Sequence, residues 1–121
     1  MDISKIENDL ISIIKLHNIQ AKILLLIILE GKMTSEEIAK KLGISIETSS
    51  SVAKQLIELG SLIEISENKF EAMHPRFIAV NMYRKLCERE NIEFKRNVAV
   101  DNIGIALERP YEDARTKYTK K

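Results

Sequence analysis

The stretch that begins at Thr34 constrains the fold most, because it holds two helix starts separated by one helix stop. Thr34 and Glu37 have the spacing of a capping box, in which the Thr34 hydroxyl accepts the Glu37 amide proton and the Glu37 carboxylate reaches back. Gly43 ends this helix, since glycine tolerates the positive φ of a tight turn. Ser45 then caps a second helix that extends to about residue 59. We therefore predict two short helices joined by a tight turn, a helix-turn-helix.

Two further helices are predicted before this motif. Residues 2–16 carry apolar side chains three or four positions apart, and Asp2 is suited to cap their helix. Residues 18–30 form the next helix, which Gly31 ends. The apolar run within it, residues 23–29, also suits a buried strand, but its length, the predicted cap at Asn18 and the glycine at 31 favour a helix. A helix that is apolar all round should be central in the fold and covered on most sides.

Beyond Gly60, which ends the second helix of the motif, the hydrophobic pattern changes to a period of two. Residues 62–66 alternate apolar and polar side chains, and residues 69–73 return after Glu67 and Asn68. This pattern predicts a β-hairpin with a short turn. A helix-turn-helix followed at once by a hairpin is a winged helix.

The C-terminal part is predicted to be mainly helical. Pro75 has the favoured first-turn position of a helix that extends to about residue 90. Residues 93–108 fit either two strands or a helix capped by Asn97, and the helical flanks favour the helix. Pro110 then restarts a turn before a helical or frayed end. The basic residues of this end are Arg115, Lys117, Lys120 and Lys121.

Together these elements predict one mainly α domain with a small β-hairpin, a winged helix-turn-helix with flanking N- and C-terminal helices. We assign residues 1–17 to the N-terminal helix, residues 18–74 to the winged helix-turn-helix domain and residues 75–121 to a C-terminal helical extension with a basic tail. The chain of 121 residues has the length of one domain. Its 45% hydrophobic content and formal net charge of +1 argue against extensive disorder.

Composition also bears on location and partners. Cys87 is the single cysteine, so no intramolecular disulfide forms and a reducing cytoplasm is expected. No signal peptide is recognisable, and the longest apolar run has seven residues, whereas a membrane-spanning helix needs about 18. We expect a soluble, cytoplasmic and nucleoid-associated protein without a membrane partner. Because the net charge is close to zero, binding to nucleic acid must rest on a local patch.

No residue pattern predicts an enzyme, a metal site or a cofactor. The serines at 49–51 lack the Gly-x-Ser-x-Gly elbow of a nucleophile, and the four glycines are isolated. His17, His74 and Cys87 lack metal-ligand spacing. We expect His17 to end the first helix, where a cation interacts favourably with the helix dipole. We expect His74 to orient the helix that follows it.

One pattern extends over four segments of the chain. They are T-S-E-E-I-A-K-K-L-G-I-S at 34–45, L-I-E-L-G-S-L-I at 56–63, Phe70-Glu71-Ala72 and Pro75. Between residues 19 and 82 this pattern resembles the winged-helix domain of archaeal TrmB-type transcriptional regulators and, more loosely, MarR- and ArsR-like regulators. The resemblance implies binding to double-stranded DNA. The corresponding role is that of a transcriptional regulator or a chromatin-associated protein.

The resemblance also implies that the helix beginning at Ser45 enters the major groove. Its inward side chains should be Val52, Ala53, Leu56 and Leu59. Amide groups at residues 34–36 are expected to hold a phosphate. Since Lys54 is the single basic residue of the groove helix, cations elsewhere must supply phosphate contacts. The predicted DNA-binding residues are Thr34, Ser35, Lys40, Lys41, Ser45, Glu47, Thr48, Ser50, Ser51, Lys54, Gln55, Lys69 and Arg76.

Apolar stripes on the first helix and on the helix after Pro75 are wider than the core of a small domain usually covers. They predict a homodimer whose recognition helices lie about 34 Å apart. The alternative is that the terminal segments fold back over each other within one chain. A second function also stays open, that of a winged-helix module that binds a protein partner without DNA. The predicted dimerisation residues are Ile6, Leu10, Ile13, Val80, Tyr83, Leu86 and Cys87.

Overall fold

The structure is a computed structural model that describes residues 2–119, with side chains as far as Thr116. Within this range the chain forms six helices and a small three-stranded antiparallel sheet, which confirms the predicted mainly α class with a hairpin. The elements are α1 (Ile3–Ser12), α2 (Asn18–Glu30), β1 (Met33–Thr34), α3 (Ser35–Leu42), α4 (Ile46–Glu58), β2 (Leu62–Ser66), β3 (Lys69–Ala72), α5 (Pro75–Arg89) and α6 (Val98–Thr119).

Helix α2 is the centre of the core. Its residues Ile23, Leu24 and Ile28 are fully buried, and the helix packs against α1, α4, α6 and β3. The apolar run therefore forms a helix that is covered on most sides, as the sequence predicts. Because four elements meet α2 from different directions, their positions around it are fixed by the same apolar surface.

The sheet has the order β1-β3-β2, and both strand pairs are antiparallel. The predicted hairpin is confirmed, with Leu62 opposite Ala72 and a turn in which Asn68 has a φ of 56°. The Glu64 carboxylate accepts the Asn68 amide proton at 2.7 Å and so closes the turn. Strand β1 was not predicted, because a strand of two residues is too short to show an alternating pattern.

The first helix boundary was predicted incorrectly. Helix α1 ends at Ser12 rather than at residue 16, and Lys15 has a φ of 69° in the turn that follows. His17 consequently lies at the N-cap of α2 instead of at the end of α1, and its amide donates to the Gln20 side chain at 2.8 Å. The predicted cap, Asn18, is instead the first residue of α2. The predicted interaction of His17 with a helix C-terminus is therefore wrong, because a cation at a helix start faces the positive end of the dipole.

Residues 98–119 form one continuous helix, α6, and not a pair of strands. The Asn97 side chain accepts the amide protons of Ala99 and Val100 at 2.9 and 3.3 Å, which confirms its predicted cap. Pro110 lies inside this helix, so the expected turn there is wrong. A proline removes one backbone hydrogen bond from the helix. The last turns of α6 nevertheless pack on the core, because Tyr111 and Ala114 are buried.

Four of the seven predicted dimerisation residues lie in the core of a single chain. Ile6, Leu10, Leu86 and Cys87 are between 0 and 5% exposed. Helix α6 packs on α1 and α5 and covers their apolar stripes. For these four residues the structure therefore agrees with the alternative prediction, in which the terminal segments fold over each other within one chain. The other three, Ile13, Val80 and Tyr83, are partly exposed, and the Tyr83 ring lies 5.9 Å from the Phe94 ring of the same chain.

Helices α5 and α6 approach each other closely at Gly104. A Cβ atom at this position would lie 3.1 Å from the Arg76 Cα and 3.2 Å from the Pro75 carbonyl oxygen. Both neighbours are backbone atoms, so neither can rotate away. The absence of a side chain at Gly104 is therefore what permits this helix spacing.

Replacing Gly104 with alanine should lower the free energy of unfolding by about 1–3 kcal/mol, because the added methyl forces α5 and α6 apart. Helix propensity alone predicts the opposite sign, since alanine is favoured over glycine by about 1 kcal/mol. Asn102→Ala, at an exposed position of the same helix, is the matched control and should be neutral or slightly stabilising. Urea denaturation measures both variants, and a stabilised Gly104→Ala protein would contradict the close approach.

Candidate nucleic-acid interface

The buried side chains of α4 show which side of this helix faces the core and which side faces solvent. Val52, Ala53 and Leu56 are buried as predicted, and Leu59 is partly buried. Ser49 is also fully buried, and its hydroxyl donates to the Ser35 carbonyl oxygen at 2.6 Å. This bond joins α4 to the start of α3 and commits the Ser49 hydroxyl to a structural contact. The opposite side of α4 is consequently directed to solvent.

The outward side chains of α4 surround an open depression beside the hairpin turn. Glu47, Ser51 and Lys54 are exposed, Ser50 is partly buried, and Ile46 is 52% exposed. The structure therefore brings four of the predicted DNA-binding residues to one surface. We refer to the following set as the α4 surface: Ile46, Glu47, Ser50, Ser51, Lys54 and Asn68.

Two members of the α4 surface, Ile46 and Asn68, were missed in the sequence. Ile46 is apolar and directly follows the Ser45 cap, so the sequence predicts only that it begins the helix. It lies four positions before Ser50, which places both side chains on one side of α4. Asn68 reaches the depression through the hairpin turn, and no local signal in the sequence indicates which helix that turn approaches.

The Ser45 and Thr48 side chains lie at the entrance of the same helix. The Ser45 hydroxyl oxygen accepts the Thr48 amide proton at 3.0 Å, which confirms the predicted N-cap. The Ser45 hydroxyl in turn donates to Thr48 Oγ1 at 2.8 Å. Both side chains are exposed, but they are partly engaged with each other. Their first role is to fix the start of α4.

Two of the three amides expected to hold a phosphate at the start of α3 are hydrogen-bonded within the chain. The Ser35 amide donates to the Asn68 carbonyl oxygen at 2.9 Å, and the Thr34 amide donates to the Glu37 carboxylate at 2.8 Å. Ser35 is only 2% exposed, and its hydroxyl oxygen is buried without a hydrogen-bond partner among the described residues. Ser35 also lines the depression beside α4, but its burial under the hairpin turn does not support its predicted contact with DNA.

Gln55 is exposed, but its side-chain oxygen is engaged within the chain. The Gln20 side-chain amide donates to Gln55 Oε1 at 3.0 Å, which joins α2 to α4. The predicted role of Gln55 in reading bases would therefore depend on its side-chain NH₂ group. The two glutamines are 35 positions apart, so their pairing is not visible in a local sequence pattern.

The cations predicted to contact phosphate are dispersed and partly paired. Lys41 pairs with Glu30 at 3.1 Å, and the Arg76 guanidinium pairs with Glu108 at 3.1 Å. Lys40 is exposed on α3, whereas Lys69 is partly buried on β3. From the start of β1 to the end of β3 the chain holds four lysines and seven glutamates, a formal net charge of −3. The segment of the chain that contains α4 is thus acidic overall.

The predicted basic tail is described only in part. The Arg115 guanidinium lies 3.7 Å from the Glu71 carboxylate and donates to the Tyr111 hydroxyl at 2.9 Å. These contacts direct Arg115 toward the sheet. The side chain of Lys117 and the residues Lys120 and Lys121 lie outside the described part of the chain.

His74, Glu108 and Glu112 form the one group of potential metal ligands found within the described residues, with ligand atoms within 4.8 Å of one another. His74 Nδ1 accepts the Arg76 amide proton at 3.2 Å, so the proton of the neutral ring is on Nε2, which lies 3.4 Å from Glu108. A histidine that binds a metal through one ring nitrogen normally donates a hydrogen bond from the other nitrogen. In His74, by contrast, Nδ1 accepts one. His74 caps α5, as its predicted orienting role requires.

The capping box of α3 is present and perturbs one carboxyl group. The Thr34 hydroxyl accepts the Glu37 amide proton at 3.1 Å while the Glu37 carboxylate accepts the Thr34 amide proton. The backbone hydrogen bond from Thr34 lowers the pKa of Glu37 below its ordinary value of 4.5; burial opposes this, and the Thr34 hydroxyl, Lys69 and Lys41 add to it. Ionised Glu37 is therefore part of the joint between β1 and α3.

No protein-family model, curated protein sequence or solved structure matches this chain at a significant level. Within residues 2–119, none of the helices combines the length and apolar character needed to cross a membrane. The geometry of the α4 surface is consequently the basis for an assignment of function.

We expect Glu37→Gln to remove a pH-dependent part of the stability. A carboxyl group whose pKa is lowered by folding stabilises the fold above its unfolded-state pKa, and this contribution is lost as the pH falls through its folded-state pKa. Between about pH 7 and pH 3 the wild-type protein should therefore lose more stability than the variant. Urea denaturation at several pH values measures this, with Glu36→Gln as the matched control. Parallel curves for wild type and Glu37→Gln would show that Glu37 does not act in this way.

Proposed function

We propose that this protein binds double-stranded DNA through the α4 surface. In this proposal α3 and α4 form a helix-turn-helix, and β2 and β3 form the wing of a winged helix. The observation that carries it is the uncovered outward face of α4, which presents small hydroxylated side chains beside the hairpin turn. Helix α4 packs mainly against α2, α3 and β2.

The α4 surface has the chemistry for contacts in a major groove. The hydroxyls of Ser50 and Ser51 can donate to phosphate or accept from a base edge. Lys54 can contact phosphate or the guanine O6 and N7 atoms, and the exposed Ile46 can pack on a thymine methyl group. Glu47 can accept from the cytosine amino group, while its charge repels phosphate. Such a surface favours base contacts over phosphate contacts.

The charge distribution predicts weak non-specific binding. Neutralised phosphates supply most of the sequence-independent affinity of DNA-binding proteins, and here Lys54 and Lys40 are the exposed lysines of α3 and α4 for which no ion pair is described. The net charge of −3 from β1 to β3 repels DNA, so binding must be stabilised by contacts with bases. We therefore expect the protein to bind DNA only at a specific sequence and at low salt.

The resemblance to the winged-helix domain of archaeal TrmB-type regulators, and more loosely to MarR- and ArsR-like regulators, supports the same proposal. A transcriptional regulator or chromatin-associated protein that acts as a homodimer in the cytoplasm, associated with the nucleoid, fits it best. The proposal includes no catalytic step and no cofactor.

A second candidate is a winged-helix module that binds a protein partner. The net charge of −3 favours it, and so do Ile63 and Ile65, which are 44 and 40% exposed on β2. An apolar surface on an edge strand can take part in contacts between proteins. The two candidates differ in whether the protein binds duplex DNA at all.

Lys54→Ala should weaken binding to duplex DNA. If Lys54 contacts phosphate, the slope of log K against log salt falls by about one per copy, and if it contacts a guanine the preference at one base pair is lost at a cost of about 1–3 kcal/mol. Fluorescence anisotropy with a pool of random duplexes, at two salt concentrations, measures both quantities.

Lys85→Ala is the matched control, because it removes the same charge from an exposed site on α5 and should leave the affinity unchanged. Equal losses in both variants would indicate a general charge effect and remove Lys54 from the interface. Absence of wild-type binding at low salt would reject DNA binding and favour the protein-partner candidate.

A further inference from the structure

A cavity of about 290 Å³ lies where the turn after α1, the start of α2 and the ends of α4 and α5 come together. Its inner wall is apolar and well buried, since Ile14, Leu16 and Met82 are between 2 and 5% exposed. Gln20 also lines the cavity and is buried, and its side-chain oxygen accepts the His17 amide proton at 2.8 Å. The wall of the cavity is therefore built from side chains that the fold holds in place.

The mouth of this cavity carries basic side chains. Lys15, His17 and Arg89 line it, and all three are exposed. Within the described residues neither Lys15 nor Arg89 takes part in an ion pair. Glu88 and Glu90 flank Arg89 in the sequence, but they are exposed and do not line the cavity. Two permanent positive charges at a recess without a lining carboxylate attract anions.

The backbone at Lys15 supports a role for its side chain at the cavity. Lys15 has a φ of 69°, in the left-handed region that favours glycine. The Leu16 amide donates to the Leu10 carbonyl oxygen at 3.1 Å, where the chain turns from α1 toward α2. A lysine strains this turn more than a glycine would, and backbone strain of this kind is concentrated at functional sites. What the lysine adds here is a cation at the mouth of the cavity.

We propose that this cavity binds a small phosphate monoester with an apolar substituent. Such a group carries a charge of about −1.5 to −2 at pH 7, which Lys15 and Arg89 together match, whereas a single carboxylate would leave one cation unpaired. The Arg89 guanidinium can donate two parallel hydrogen bonds to phosphate oxygens, and the His17 ring supplies a further donor. The apolar substituent packs on Leu59 and Met82 in the wall of the cavity.

The cavity is separate from the α4 surface. Ile46 begins α4 and Leu59 follows its last residue, so the 13-residue length of the helix, about 20 Å, separates them. The volume of the cavity is close to the lower end of the range for small-molecule sites, which favours a small ligand over the backbone of a nucleic acid. The inference is therefore independent of whether the α4 surface binds DNA.

Amide chemical shifts of the full chain, measured by NMR during a titration with phenyl phosphate in phosphate-free buffer, test the proposal. We expect saturable changes at residues 14–20 and around Leu59, Met82 and Arg89. Inorganic phosphate lacks the apolar part, and benzoate carries a single charge. Each should therefore bind at least about 10-fold more weakly than phenyl phosphate.

Two variants test the cations separately. Arg89→Gln removes the guanidinium charge but keeps a polar side chain, and it should weaken binding of phenyl phosphate at least about 10-fold. Lys15→Gly should weaken binding by a similar factor while its stability in urea is unchanged or higher, because glycine relieves the positive φ. Arg109→Gln is the matched control, since Arg109 lies beside Glu108, which pairs with Arg76 at the opposite end of α5. Circular dichroism shows that each variant is folded.

The proposal is overturned if phenyl phosphate at about 10 mM causes no saturable change at the cavity, or if both Arg89→Gln and Lys15→Gly keep the wild-type affinity. An equal loss in Arg109→Gln would indicate a general charge effect and overturn it as well. Benzoate or inorganic phosphate that binds as tightly as phenyl phosphate would contradict the assigned ligand class. Duplex DNA that shifts residues 14–20 in the same way would assign the cations to nucleic acid instead.

Discussion

Burial of α2 is the constraint on which the rest of the structure depends. This helix is apolar on nearly all sides, so it is stable only when other elements cover it in several directions. Helices α1, α4 and α6 and strand β3 supply this cover. Because α4 uses one side to cover α2, its other side is left to solvent, and the surface proposed to bind DNA is a direct consequence of how the core is closed.

A second contact fixes what lies beside that surface. The Ser35 amide donates to the Asn68 carbonyl oxygen, and the Ser49 hydroxyl donates to the Ser35 carbonyl oxygen. The hairpin turn, the start of α3 and the first turn of α4 are therefore joined through one buried serine, Ser35. This joint explains why the hairpin lies next to the α4 surface. It also explains why the Ser35 amide is not free to bind a phosphate, while the Glu37 carboxylate engages the Thr34 amide.

The features that could be predicted from the sequence depend on residues close together in the chain. The Thr34 and Ser45 caps and the positive φ of Gly43 follow from spacings of a few residues, and all three are confirmed. Some errors are local, such as the end of α1 and the turn expected at Pro110, but those at the candidate site concern contacts between distant residues. Gln55 is paired with Gln20 and Arg76 with Glu108, and the apolar side of α1 is covered by α2 and α6. Local patterns indicate that a side chain is polar or apolar, but they do not identify its partner in space.

The central claim is that duplex DNA contacts the α4 surface, and amide chemical shifts measured by NMR during a titration with duplex DNA test it most directly. The account predicts that the largest changes occur at residues 46–54 and at Asn68, with smaller changes along the rest of α3 and the hairpin. Changes that cluster on α5 and α6 instead, or a spectrum that does not change at low salt, would contradict it.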